Sequence, residues 1–256
     1  MRRLLVTLVV LLHAQSGACS CEATLHKHYN GTLNCAKHRD MCHFAPVLRR
    51  LASHGSSVVE MGVRSIVSSW ALLLGLYEFG GAPPSAKWML SVDLRGIKFN
   101  APIQAGQSCG LNVSFVQHDS ATVALPAAYD LLFIDTMHTY GHLRRELAAH
   151  ANRARRYIVL HDTIIDGVVS DIVRLRGKEA VPGLAKVIGY SEDEIRRGLQ
   201  DAIDEFLTQH AEWTVFEHYS SYPGLTVLAR HESIRPGGVP YFKRPSTSFM
   251  QRLLGR

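Results

Sequence analysis

Ser56-Ser57-Val58-Val59-Glu60-Met61-Gly62-Val63-Arg64-Ser65-Ile66-Val67-Ser68-Ser69-Trp70 reads as a buried strand that turns sharply into a helix. Val58 and Val59 are β-branched and apolar, and Glu60 closes the run. Gly62 supplies the backbone freedom of a tight strand-to-helix turn, and Ser65 is the expected opener of the helix. In an open α/β sheet such a turn lies at the carboxyl end of its strand, where nucleotide-like ligands bind. A carboxylate there suits a ligand with hydroxyls or a cationic group better than a bare pyrophosphate. Of the dinucleotide pattern G-x-G-x-x-G only the first glycine is present, which argues against NAD.

Four further apolar runs follow, each closing on polar residues. Trp88-Met89-Leu90-Ser91-Val92-Asp93 ends in an acid 31 residues beyond Gly62, within the range at which such folds place a ribose-binding carboxylate. Asn112 to Gln117 leads into His118-Asp119, Tyr129 to Ile134 into Asp135 and then His138, and Tyr157 to Leu160 into His161-Asp162. Helical spacing separates them, at Phe44 to Leu51, Ile66 to Tyr77 and Tyr140 to Arg153. Apolar strands alternating with helices predict a Rossmann-like, doubly wound, mostly parallel sheet covered on both faces. Thr214 to Tyr219 and Leu225 to Arg230 predict an antiparallel hairpin at its edge. Glycines and prolines between 164 and 190 predict a loop with short helices over the site. Ser191-Glu192-Asp193-Glu194 predicts a capping box opening one helix through Leu207.

The 256 residues suffice for one well-buried domain, and 46% hydrophobic with 20% charged residues excludes global disorder. A net charge of +6 permits an acidic partner, but the arginines are scattered without interleaved aromatics, which gives no specific nucleic-acid site. Met1 to Ala18 has the basic start, apolar stretch and small-residue exit of a signal peptide, and Leu4 to Leu12 is too short to span a bilayer. A genuine signal places the protein outside the cell or in an endomembrane lumen; otherwise it is cytoplasmic. The expected organisation is a leader over 1–18, a Cys/His-rich arm over 19–43, a catalytic domain over 44–232 and a tail over 233–256. Cys19, Cys21, Cys35 and Cys42 allow two disulfides in three connectivities, unpaired thiols, or a zinc site of unusual spacing. Cys109 reads as an ordinary thiol.

Val58 to Ser69, Phe133-Ile134-Asp135-x2-His138-x-Tyr140, Leu160-His161-Asp162-Thr163, and the run from Gly198 to Leu228 together resemble class I S-adenosyl-L-methionine (SAM) methyltransferases. The nearest branch contains the cephalosporin-hydroxylase-like and macrocin-type O-methyltransferases, and the likeness spans residues 44 to 232. The resemblance implies that Glu60 and Gly62 line the methionine part of SAM, that Asp93 holds the ribose hydroxyls, that Asp119 lies near the adenine, and that Arg64 and Asp135 also belong to the cofactor site. It also implies a divalent metal, magnesium or manganese, held by Asp135, His161 and Asp162. His161 stands where the family often has a carboxylate, which weakens a magnesium site and leaves room for a metal that accepts imidazole, or for none.

Methyl transfer from a sulfonium is an in-line displacement, and a hydroxyl acceptor must also lose a proton. His138 and His161 are the candidate bases, His138 first. The expected acceptor is a small molecule or sugar hydroxyl, and the sequence allows a homo-oligomer. Two other readings use the same residues: a non-haem iron oxidoreductase with two histidines and one carboxylate, and a secreted binding protein that kept the fold without catalysis.

Overall fold

The computed structural model describes residues 21–38 and 40–234; the expected leader, Cys19 and the tail beyond 234 lie outside them. Seven strands form one sheet: β1 (Ser57–Met61), β2 (Trp88–Asp93), β3 (Asn112–Gln117), β4 (Tyr129–Ile134), β5 (Ala154–His161), β6 (Trp213–Tyr219) and β7 (Leu225–Arg230). Their order is β3-β2-β1-β4-β5-β7-β6. The first five run parallel, and β7 lies antiparallel between β5 and β6. This is the Rossmann-like, mostly parallel sheet with a C-terminal antiparallel hairpin that the alternation of strands and helices predicts.

The apolar runs lack polar alternation because both faces of the sheet are covered. Val58, Leu131, Phe133, Val159 and Val227 join one core. It is shared with α1 (21–32), α2 (Ala45–Ala52), α3 (Val67–Glu78) and α4 (Asn100–Ser108). Val59, Met61, Leu132, Ile134, Ile158 and Leu160 point the other way, against α5 (Tyr140–His150) and α9 (Leu199–Gln209). α2 and α3 pack closely at Gly75, where a Cβ would stand 2.1 Å from the Arg49 carbonyl oxygen. The chain goes outward from β1 through β2 to β3 and then crosses back to β4. That reversal opens a crevice at the carboxyl ends of β1 and β4.

The structure departs from the sequence expectations at four places. The helix expected from Ser191 to Leu207 is two, α8 (Glu192–Arg196) and α9, although the Ser191–Glu194 capping box is present. Between them Gly198 lies so close to the segment after β5 that a Cβ would meet the Asp166 carbonyl oxygen at 2.3 Å, while its N–H donates to Val168. Ser65 does not cap α3; Ile66 holds the N-cap position in a left-handed conformation with no side-chain cap. Cys109 is not a free thiol, because it pairs with Cys21 and ties α1 to the end of α4. Cys35 pairs with Cys42, closing a short loop just before α2, so the zinc reading of the arm fails for these cysteines. The segment 164–190 folds into α6 (Asp171–Arg176) and α7 (Val181–Ile188), as short as its glycines predict. Among the described residues no helix is long and apolar enough to cross a membrane.

Candidate functional site

The β1–α3 turn is braced from within. Glu60 shares the face of Val58 and is fully buried; it accepts hydrogen bonds from Ser68 (2.6 Å), Ser69 (2.8 Å) and Ser91 (2.6 Å). Burial pushes its carboxyl up to about 7 against the pull of the three hydroxyls. Glu60 therefore holds α3 and β2 to β1, and it offers no exposed atom to a ligand. Gly62 has φ +84°, and a Cβ there would stand 1.8 Å from the Asp135 carbonyl oxygen. Arg64 and Ile66 adopt φ of 40° and 63°, which side chains disfavour, Ile most of all. Asp93 sustains this turn: Oδ2 accepts the Val63 N–H (2.8 Å) and the Arg64 N–H (3.1 Å), and Oδ1 accepts the Arg95 N–H (2.8 Å). It remains partly exposed, with acceptor capacity left for a hydroxyl.

Across the crevice β4 and β5 deliver a compact charged cluster. Asp135 follows β4, His161 ends β5, and Asp162 follows in a left-handed conformation (φ 57°). His138 lies between acids, Nε2 at 3.1 Å from Asp135 and Nδ1 at 2.9 Å from Asp166 and 3.1 Å from Asp162. Asp166 is fully buried and accepts two hydrogen bonds from Arg174, at 2.6 and 3.0 Å. His161 donates from Nε2 to the Asp40 carbonyl (2.9 Å), while Nδ1 stands 3.3 Å from Asp135 and 3.4 Å from Asp162 without forming a hydrogen bond. The five side chains fall into two overlapping triads, Asp135–His161–Asp162 and His138–Asp162–Asp166.

Burial works against charge on both imidazoles, yet the surrounding carboxylates win. His138 is raised well above the ordinary histidine value and His161 to about 10. Burial alone would raise the Asp135 carboxyl; His161 and His138 instead hold it well below the usual range. Both imidazoles are thus held toward the charged form, and with Arg174 they face the three carboxylates. A base at His138 requires that one of its acidic partners first be engaged elsewhere. The Asp135–His161–Asp162 donor set fits a divalent cation: its oxygens and nitrogen lie within 4.8 Å of one another, and the buried His161 Nδ1 faces the two carboxylates without a hydrogen bond. Entry of a cation would displace the Nδ1 proton.

The structure thus gathers Asp135, His138, His161 and Asp162, and sets Gly62 against Asp135 across the crevice. Arg64 is largely exposed and ion-pairs with Asp40. Asp119 is not in the cluster: its Oδ1 accepts the Ala121 N–H, and it borders an open groove with Thr122, Arg145 and Tyr190. Asp40, Asp166 and Arg174 were not singled out by the sequence. Asp166 lies four residues beyond Asp162, in a stretch without periodicity. Asp40 acts through its backbone, for which no sequence signal exists.

No family model matches the sequence, and no curated protein does either. Solved structures do share the fold. The SAH-bound Podospora anserina methyltransferase PaMTH1 is 15% identical, with 85% of this chain and 95% of that one covered and a TM-score of 0.51. A Staphylococcus aureus structure described as a caffeoyl-CoA O-methyltransferase is 12% identical, covers 73% of this chain and 83% of its own, and gives a TM-score of 0.50. At such identities the likeness is one of architecture: this chain has the Rossmann-like fold on which those proteins are built.

Proposed function

We propose that the chain is a SAM-dependent methyltransferase acting on a hydroxyl of a small molecule or sugar. The observation that carries this reading is where strain and charge concentrate. Among the described residues the three non-glycine residues with left-handed backbones, Arg64, Ile66 and Asp162, all lie at the carboxyl ends of β1 and β5. Strain of about 1–3 kcal/mol per residue persists where surrounding structure enforces it, and such places cluster at functional sites. Here Asp93 enforces it on the β1 side, beside the crevice in which this architecture binds nucleotides. The shared fold with an SAH-bound methyltransferase supports the donor, and the name of the Staphylococcus protein supports oxygen as the acceptor atom.

Asp93 would hold the donor's ribose hydroxyls, and Gly62 lets the backbone approach it. When bound, SAM supplies an electrophilic methyl group. The chain's own part is to hold donor and acceptor in line and to take the acceptor's proton at the far side of the crevice. His138 is the base there once Asp135 and Asp162 are engaged elsewhere, and Asp166 with Arg174 fixes its ring. Asp135, His161 and Asp162 would hold a divalent cation, which would lower the acceptor hydroxyl's pKa. The two disulfides support maturation in an oxidising compartment. Calorimetric titration with SAM tests the reading: micromolar binding lost in Asp93→Ala is expected. No binding by the wild-type chain would overturn it and favour a non-catalytic binding protein.

A further inference from the structure

The N-terminal arm reaches the cluster at Asp40. Asp40 lies inside the loop closed by Cys35–Cys42, and its carbonyl oxygen accepts the Nε2–H of His161, 121 residues away, at 2.9 Å. Phe44, just after the loop, packs edge-on against the same ring with centroids 5.5 Å apart. The His161 side chain is only 1% exposed, so this contact and its acidic neighbours fix its surroundings. With Nε2 committed to a carbonyl, the other nitrogen faces the acids. Nδ1 is buried, makes no hydrogen bond, and stands 3.3 Å from Asp135 and 3.4 Å from Asp162. A metal-bound histidine usually donates its second N–H to a carbonyl or carboxylate, which sets the ring orientation and raises ligand basicity.

We propose that the Cys35–Cys42 loop is the outer support of a mixed nitrogen–oxygen cation site. The Asp40 carbonyl commits His161 to bind through Nδ1, and the site thereby selects a first-row transition ion over magnesium. Magnesium takes oxygen ligands in a near-ideal octahedron, whereas cobalt, zinc and iron accept imidazole. The loop lies in the arm, outside the stretch that resembles a known family. The inference rests on reading the cluster as a cation site, and it stands independently of SAM.

The test uses the full oxidised chain and two probe ions, Co2+ and Mg2+, titrated calorimetrically without SAM. Co2+ is expected to bind at least tenfold more tightly than Mg2+, and His161→Asp to bring the two within about threefold. Cys35→Ser/Cys42→Ser frees the loop and is expected to weaken Co2+ binding by 10- to 100-fold, the range seen when outer-shell partners are removed. Asp40→Ala removes the Arg64 ion pair but keeps the carbonyl, so it should stay within threefold of wild type. Proton NMR of the Co2+ form gives a second readout: one strongly shifted imidazole N–H, slow to exchange in wild type and fast in the double cysteine variant. Equal affinity for the two ions, no binding of either, or a double cysteine variant with unchanged Co2+ affinity and N–H exchange would overturn the proposal. SAM titrated in parallel with a chelator separates the two failures. SAM binding without Co2+ binding sinks this inference alone, and Co2+ binding without SAM binding sinks the methyltransferase reading alone.

Discussion

The two walls of the crevice use carboxylates in opposite ways. On the β1–β2 wall Glu60 is spent on the protein itself, and Asp93 braces the turn while keeping acceptor capacity for a ligand hydroxyl. One is buried under three serine hydroxyls and the other is tied to three backbone N–H groups. On the β4–β5 wall Asp135, Asp162 and Asp166 face two imidazoles and a guanidinium, an arrangement of charges that an incoming cation or proton can rearrange. A rigid wall beside a chargeable one is what group transfer asks for: fixed placement of one reactant and movable protons beside the other.

The largest expected break of this contrast is Asp166→Ala. It leaves His138 and Arg174 without their buried partner, and we expect a loss of about 3–5 kcal/mol in denaturant unfolding. Asp166→Asn should recover part of it, since the amide oxygen still accepts from Arg174.

Glu60→Gln sharpens the other wall. Glu60 titrates near 4.5 when unfolded and about 7 in the fold, so between those values the native state holds a proton that the unfolded chain releases. Its contribution is fully present below pH 4.5 and is lost as pH rises through 7. At pH 8 Glu60→Gln is therefore expected to be more stable than wild type by up to about 3 kcal/mol, and at pH 4 nearly equal to it. Paired unfolding curves at the two pH values check this. An unchanged difference would mean that Glu60 is solvated.

Asp93→Ala should cost less stability, about 1–2 kcal/mol, because Val63 and Arg64 can turn their N–H groups partly to water. Its larger effect should be on the donor side, with SAM affinity falling at least 100-fold while Co2+ affinity stays within threefold. Loss of both together would mean that the walls act as one unit.

The sheet was legible because strands buried on both faces must be continuous apolar runs, and their terminal acids then fall on one edge. The role of Glu60 was legible in principle. It lies two residues from Val58 and so points beneath α3, away from the ligand edge. Its place in a Glu-x-Gly turn points to the ligand instead. Helix capping by Ser65 failed because Ser68 and Ser69 are engaged by Glu60 and the turn is set by Asp93, 27 residues beyond Ile66. The pairing of Cys109 with Cys21 and the reach of Asp40 to His161 depend on contacts 88 and 121 residues apart, beyond any local pattern.

The most direct measurement is a crystal structure of the chain soaked with SAH and Co2+, with anomalous scattering recorded at the cobalt edge. The expected result is the nucleoside against Asp93 and one anomalous peak bounded by Asp135, Asp162 and the Nδ1 of His161. Nucleoside density in the groove beside Asp119, Arg145 and Tyr190, with no peak at the cluster, would contradict it.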